Sequence, residues 1–183
     1  MNKPSELRVE IPEDVQIEIS GKKLTVSFQG KQLSREFKSN VIDFANEGNV
    51  LVLKSKNSRR KTSATMNSMA SHVRNMVRGI KHGFQYTLEA VYSHFPMNLT
   101  VKNGFVEINN LAGAKAPRRS NIVGNTSVEI KGNSIVVKGI GKEDTGQTAA
   151  NLETATKIRG KDSRIFQDGI YIVTKPTKGP GEE

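Results

Sequence analysis

The chain has 183 residues, 35 % of them hydrophobic, with 28 Lys+Arg against 18 Asp+Glu for a formal charge of +10, and neither Cys nor Trp. Such a composition can build a core in one or two domains. It excludes disulfide frameworks, thiolate zinc sites and cysteine nucleophiles, and its positive balance points to a polyanionic partner.

The first twenty residues contain no apolar h-region before a small-residue cleavage site, and the longest aliphatic run is Val50 to Leu53. A spanning helix needs roughly 18 apolar residues, so a cytoplasmic protein without a membrane segment is expected. Val15, Ile17 and Ile19 alternate, as do Leu24, Val26 and Phe28 after a Gly21-Lys22 turn. Val41 to Phe44 and Val50 to Leu53 follow, separated by Asn46-Glu47-Gly48-Asn49, and together these segments predict an antiparallel meander with local connections. The period then changes to about 3.6. Met66, Met69, Ala70, Val73, Val77 and Ile80 fall on one helical face, and Asn67, His72, Arg74, Arg78 and Lys81 on others. Thr62 or Ser63 is the expected cap, Gly83 suits the C′ position, and His72 is expected to face solvent.

The same order of parts then recurs. "IPEDVQIEISGKKLTV" matches "FPMNLTVKNGFVEI" in pattern, with Pro12 and Pro96 84 residues apart, and "VLVLK" ending at Lys54 matches "SIVVK" ending at Lys138, again 84 apart. A second helix is expected over about Asp144 to Ile158, and each copy finishes at a glycine step, Gly83-Phe84 and Gly169-Ile170. Two copies of an α+β unit, each with six or so strands and one helix, are the economical reading, with a hinge near residues 82–94. The expected domains are 1–82, 83–174 and a Pro/Gly-rich flexible tail at 175–183.

Charge is segregated along the chain. Residues 1–53 carry 7 basic and 8 acidic side chains, 54–88 carry 8 basic and none acidic, and 89–183 carry 13 basic and 10 acidic. A second acid-free stretch, Leu111 to Val128, holds Lys115, Arg118 and Arg119. Localised Lys and Arg hold nucleic acid by neutralising phosphates. The ten Phe and Tyr residues fall mostly within strand patterns, where core packing is the expected role. Recognition of folded, double-helical RNA by charge and shape therefore fits better than a stacking platform for single strands.

Catalytic chemistry finds little support. His72, His82 and His94 have no carboxylate or Cys partners at ligand spacing, so no metal is expected. Gly141-Lys142 fails the phosphate-loop pattern at Val136 and Glu143, and "GIGKED" fails the dinucleotide pattern at Asp144. Glu143 and Asp144 stand where helix capping and dipole compensation account for them. The second helix opens on small residues, Gly146, Thr148, Ala149 and Ala150, which suit close approach either to a sheet or to an RNA backbone. It runs into Lys157, Arg159, Lys161 and Arg164, cations placed both to complement the helix dipole and to meet phosphates.

"HFPMNLTV" (94–101), "GAKAPRR" (113–119), "GQTAANLETATKIRGKDSRIFQDGIYI" (146–172) and the duplication resemble the archaeal and eukaryotic branch of the large-subunit ribosomal protein L-six family, over all but the tail. The resemblance implies a non-enzymatic component of the large ribosomal subunit with no cofactor and no small-molecule substrate. It implies binding to large-subunit rRNA near the sarcin–ricin loop and stalk base, chiefly through the second domain. Neighbouring ribosomal proteins would be partners, and translational GTPases would dock nearby. Carried onto this chain, Lys115, Arg118 and Arg119 lie in the family's basic loop, Gln147 at the helix start, and Lys157, Arg159, Lys161 and Arg164 in the last motif. Lys138 and Lys142 join these candidates on charge and placement, and Arg59, Arg60 and Lys61 form a secondary basic surface. Thr145 stands where the family usually has Val, and Leu111-Ala112 where it has a Phe-Leu type pair. A free-standing RNA-binding or chaperone-like protein is the alternative reading.

Overall fold

The structure, a computed structural model, describes residues 6–57, 59–93, 95–160, 162 and 164–176. The chain divides into two compact units, 1–81 and 82–183.

In the first unit, β2 (Gln16–Ser20), β3 (Lys23–Phe28) and β4 (Lys31–Glu36) form one antiparallel sheet. A second sheet has the order β1 (Glu6–Glu10), β6 (Val50–Ser55), β5 (Ile42–Glu47). The expected single meander is therefore two sheets. β1 pairs with β6 across most of the unit, from Glu6↔Lys54 to Glu10↔Val50, a partnership that local alternation does not encode. The hairpins close through two-residue loops, Gly21-Lys22, Gln29-Gly30 and Gly48-Asn49, so β5 and β6 extend into the segment expected to be their turn. Gln29 and Gly30 both have positive φ, the backbone that lets a tight hairpin follow the twist of its strands.

α1 (Arg60–His82) buries Met66, Met69, Ala70, Val73, Met76, Val77 and Ile80 in one core with Val9, Leu24, Val26, Leu51 and Leu53. Its N-terminus is organised from upstream of the expected cap. Asn57 Oδ1 accepts from Arg59 N at 3.4 Å and from the Thr62 hydroxyl at 2.7 Å. His72 is half-buried beside Phe37, ring centroids 6.4 Å apart, rather than wholly in solvent. Gly83, at φ +71°, ends the helix as its C′ residue.

The second unit repeats this order with one addition. β8 (Asn98–Lys102), β9 (Phe105–Asn109) and β10 (Arg118–Asn121) correspond to β2, β3 and β4. β11 (Ser127–Lys131), β12 (Ser134–Gly139) and β7 (Phe84–Val91) correspond to β5, β6 and β1, and β13 (Gly169–Thr174) adds a fourth strand beside β7. The expected hinge at 82–94 is thus mostly β7, an inner strand paired on both edges by β12 and β13. α2 (Lys142–Thr156) starts and ends two residues earlier than expected and contributes Ala149 and Leu152 to a core with Leu88, Ile108, Ile135, Val137 and Ile170. Residues 177–183 of the expected tail lie outside the described residues.

Two side-chain links in these units are testable. The buried Thr156 hydroxyl donates to α2 carbonyls and accepts from Ile170 N at 2.9 Å, fastening β13 to the helix. Thr156→Val keeps the shape but orphans that amide, so urea unfolding is expected to show a loss of about 1–3 kcal/mol. In the first unit the Lys81 ammonium donates to Asp14 Oδ1 at 2.9 Å and holds that carboxyl below its ordinary 3.8. A carboxyl depressed in the folded state adds stability above its unfolded pKa and loses it as pH falls through the folded value. The stability difference between the parent and Asp14→Asn is therefore expected to close as pH is lowered below 3.8.

Candidate nucleic-acid interface

The small residues of α2 are taken up by the sheet. Thr145, Thr148, Ala149 and Leu152 are fully buried, and a Cβ on Gly146 would fall 2.9 Å from the Tyr86 hydroxyl. Thr148 Oγ1 accepts from Val123 N at 3.0 Å and donates to Asp144 O at 2.9 Å. Thr145, Thr148 and Ala149 thus fit α2 against its own sheets, while Gly146 and Ala150 are half-buried and Gln147 is exposed. Glu143 and Asp144 occupy the first turn, where negative charge offsets the helix dipole, and Gly141 is the N-cap residue.

The other end of α2 departs from expectation. The helix stops at Thr156, with no basic residue in its last turn and Lys157 as C-cap. The cation that meets its terminal carbonyls is Arg118, reaching from β10. Its Nη1 donates to Ala155 O at 2.9 Å and to Lys157 O at 3.0 Å. This contact brings two candidate residues together and gives half-buried Arg118 a structural task.

Around that junction Lys115, Arg119, Lys157, Arg159 and Arg164 are exposed. Lys115, Lys157, Arg159 and Arg164 have no acidic ion-pair partner among the described residues. Arg119 stands opposite Glu107, whose carboxyl pKa is lowered by Lys102 first and by the Arg119 charge as well, and lies over the Phe105 ring at 5.2 Å. Exposed Gln147 donates to Asn151 at 2.8 Å, and Asn151 donates to Asn121 O at 3.0 Å, a polar ridge between α2 and β10. Lys161 lies outside the described residues, as does His94. Lys138 and Lys142 are not part of this group. They sit by the start of α2, about 20 Å away at 1.5 Å per residue. Lys138 pairs with Glu129 at 3.3 Å, and Lys142 lies over Phe84 at 6.0 Å.

Arg59, Arg60 and Lys61 are exposed at the N-terminus of α1, which has no acid in its first turn. Positive charge there opposes the helix dipole. Among the described residues no cluster of three His, Cys, Asp or Glu could hold a metal, and no helix is long and apolar enough to cross a membrane.

Sequence reasoning placed the aromatic rings mainly in the core. Phe37 and Phe84 are buried, yet Tyr92, Phe95, Phe166 and Tyr171 are exposed. Phe95 lies against Gly113, where a Cβ would meet its ring at 3.3 Å. Phe166 and Tyr171 line a cavity of about 380 Å³ between the end of α2 and the start of β13. For Phe166 the available signal was its position two residues after Arg164, outside any alternating run, whereas Tyr171 stands in the strand pattern of β13.

The model of the family described as Ribosomal protein L6 matches the chain twice, over residues 11–83 and 95–169, one match in each unit. The chain belongs to this family. Among its relatives, the large ribosomal subunit protein uL6 of Thermoplasma volcanium is 44 % identical over 168 residues, covering 91 % of this chain and 94 % of the relative. Those of Thermoplasma acidophilum and Methanocella arvoryzae are 40 % and 42 % identical, each covering 91 % of this chain and 94 % and 95 % of the relative.

The two departures from the L6 pattern lie in packing positions. The Thr145 hydroxyl donates to Gly141 O at 2.7 Å inside the first turn of α2. Leu111 is buried, while Ala112 adopts a left-handed φ of +48° in the single 3-10 turn Leu111–Gly113. Arg118→Ala is expected to lower stability in urea by about 1–3 kcal/mol, because two helix-end carbonyls lose a charged donor. Lys115→Ala and Arg159→Ala are expected to stay within about 0.5 kcal/mol of the parent.

Proposed function

We propose that the chain is a structural protein of the large ribosomal subunit, not an enzyme, whose second domain, residues 83–174, is its principal rRNA-binding domain. It binds large-subunit rRNA near the sarcin–ricin loop and the stalk base, beside other ribosomal proteins and close to where translational GTPases dock. Membership of the L6 family supports the ribosomal place. The observation that carries the RNA-binding surface is the group of exposed cations around the end of α2, of which Lys115, Lys157, Arg159 and Arg164 have no acidic ion-pair partner among the described residues.

Lys157, Arg159 and Arg164, flanked by Lys115 and Arg119, face solvent from a framework tied down by Arg118 and Thr156. Cations held in this way neutralise phosphates and fix the register of an RNA helix without reading its sequence. Lys161 belongs to the same motif. Gln147 on the polar ridge suits a sugar or phosphate contact. Lys138 and Lys142, already engaged by Glu129 and the Phe84 ring, serve as peripheral contacts. Arg59, Arg60 and Lys61 offer a secondary surface for further RNA or an acidic neighbouring protein.

The test is binding of the full chain to an rRNA fragment containing the sarcin–ricin region, beside an unrelated duplex of equal length, across a salt series. A preference for the fragment that survives high salt is expected. Equal affinities falling together would remove the reading, and loss of the protein from large subunits in a high-salt wash would favour a free-standing RNA-binding protein. Replacing Lys157, Arg159 and Arg164 by Ala is expected to reduce the log–log salt slope by up to about three, one per lost phosphate contact. The pair Lys138→Ala and Lys142→Ala is expected to change it by less.

A further inference from the structure

We infer that the cavity between the end of α2 and the start of β13 receives one unpaired nucleobase of the bound rRNA. The inference rests on the RNA-binding reading above and adds to it a contact that charge and shape alone do not make.

The cavity has two kinds of wall. Ile158, Phe166 and Tyr171 supply apolar and aromatic surface, whereas Glu153 and Asp168 supply carboxylates. Those two acids repel a phosphate, so the occupant is a neutral flat group rather than the RNA backbone. Asp168, buried and in the cavity lining, accepts from Ser93 N at 2.9 Å through Oδ1, and a carboxylate has a second oxygen able to accept from an amino group of adenine, cytosine or guanine. The phosphates on either side of such a base have counterparts outside the cavity. Lys157 stands in its lining, and Arg164 is two residues from Phe166 in the same loop.

The rings are held ready for this role. The Tyr171 hydroxyl donates to Gln167 O at 3.0 Å, and Gln167 Nε2 donates to Arg164 O at 3.3 Å, so the turn carrying Phe166 is braced on both sides. Exposed aromatic surface gains most from a π-faced partner, and RNA loops and bulges present splayed bases to such side chains.

Charge and stacking separate in a salt series, because only phosphate contacts release counterions. Phe166→Leu combined with Tyr171→Leu removes the rings and keeps apolar volume. The double variant is expected to bind the sarcin–ricin fragment about ten-fold more weakly at every salt concentration, with an unchanged slope. Unchanged affinity, or a change in slope, would overturn the inference. Phe166→Tyr keeps a ring and is expected to bind like the parent; a ten-fold loss there would also overturn it.

Replacing single unpaired nucleotides of the fragment by abasic sites identifies the base. At one position the parent is expected to lose the same factor as on removing the rings, and the double variant nothing further. Sensitivity to no position would overturn the inference. Ultraviolet crosslinking of the unmodified complex gives a readout independent of variant folding, with a nucleotide expected on Phe166 or Tyr171, and crosslinks confined to other residues counting against the cavity. A fragment bound no better than the unrelated duplex defeats the ribosomal reading. Preference for the fragment with indifference to the rings defeats the cavity alone.

Discussion

The last turn of α2 is the joint on which the second unit depends. A helix end leaves carbonyls without intrahelical partners. Here Arg118 supplies a charged donor from β10, while the Thr156 hydroxyl takes the Ile170 amide of β13. One helix terminus thereby fastens both sheets of the unit. The loop that leaves it is anchored again where Asp168 accepts from Ser93 N, just beyond β7. Cations and rings on this loop are presented by a framework fixed at both ends, the arrangement in which a loop can carry a binding function.

The distribution of ion pairs gives the same picture from charge. Several cations on or beside strands meet acids: Lys54 with Glu6 and Glu47, Lys56 with Asp43, Lys102 with Glu107, and Lys138 with Glu129. Exposed pairs of this kind add little stability, but they cancel local field. Positive charge is dense on the segment around the end of α2 and on α1, whose 23 residues include no acid. Charge counting favoured residues 54–88, and the family favoured the second unit. The first unit carries its basic residues at a helix start and the second at a helix end.

Much of the architecture was legible because its signals are local. The helix face of α1, the two-residue hairpin at Gly21 and the recurrence of the whole order in the second half follow from period, turn residues and spacing, whereas the turn expected over Asn46 to Asn49 is only Gly48-Asn49. Strand partnership did not, since β1 joins β6 across the unit and β7 leaves α1 to become an inner strand of the following sheet. In the candidate site the cations could be read directly, because a charge run signals itself. Arg118 was read as a contact and proved to hold a helix end. The small residues of α2 admitted two uses, and Gly146 beside Tyr86 and the buried Thr148 pack on the sheet side.

Composition and spacing by themselves determined a basic, duplicated α+β chain without catalytic constellations, and its motifs were enough to identify the family. These properties depend on residue type and on neighbours near in sequence. Only the tertiary structure decided which cations gather at the end of α2, which are neutralised on strands, and that Phe166 and Tyr171 flank a cavity instead of filling the core. Each of these depends on residues far apart in the chain, and exposure is a property of what packs against a side chain, which no local pattern records.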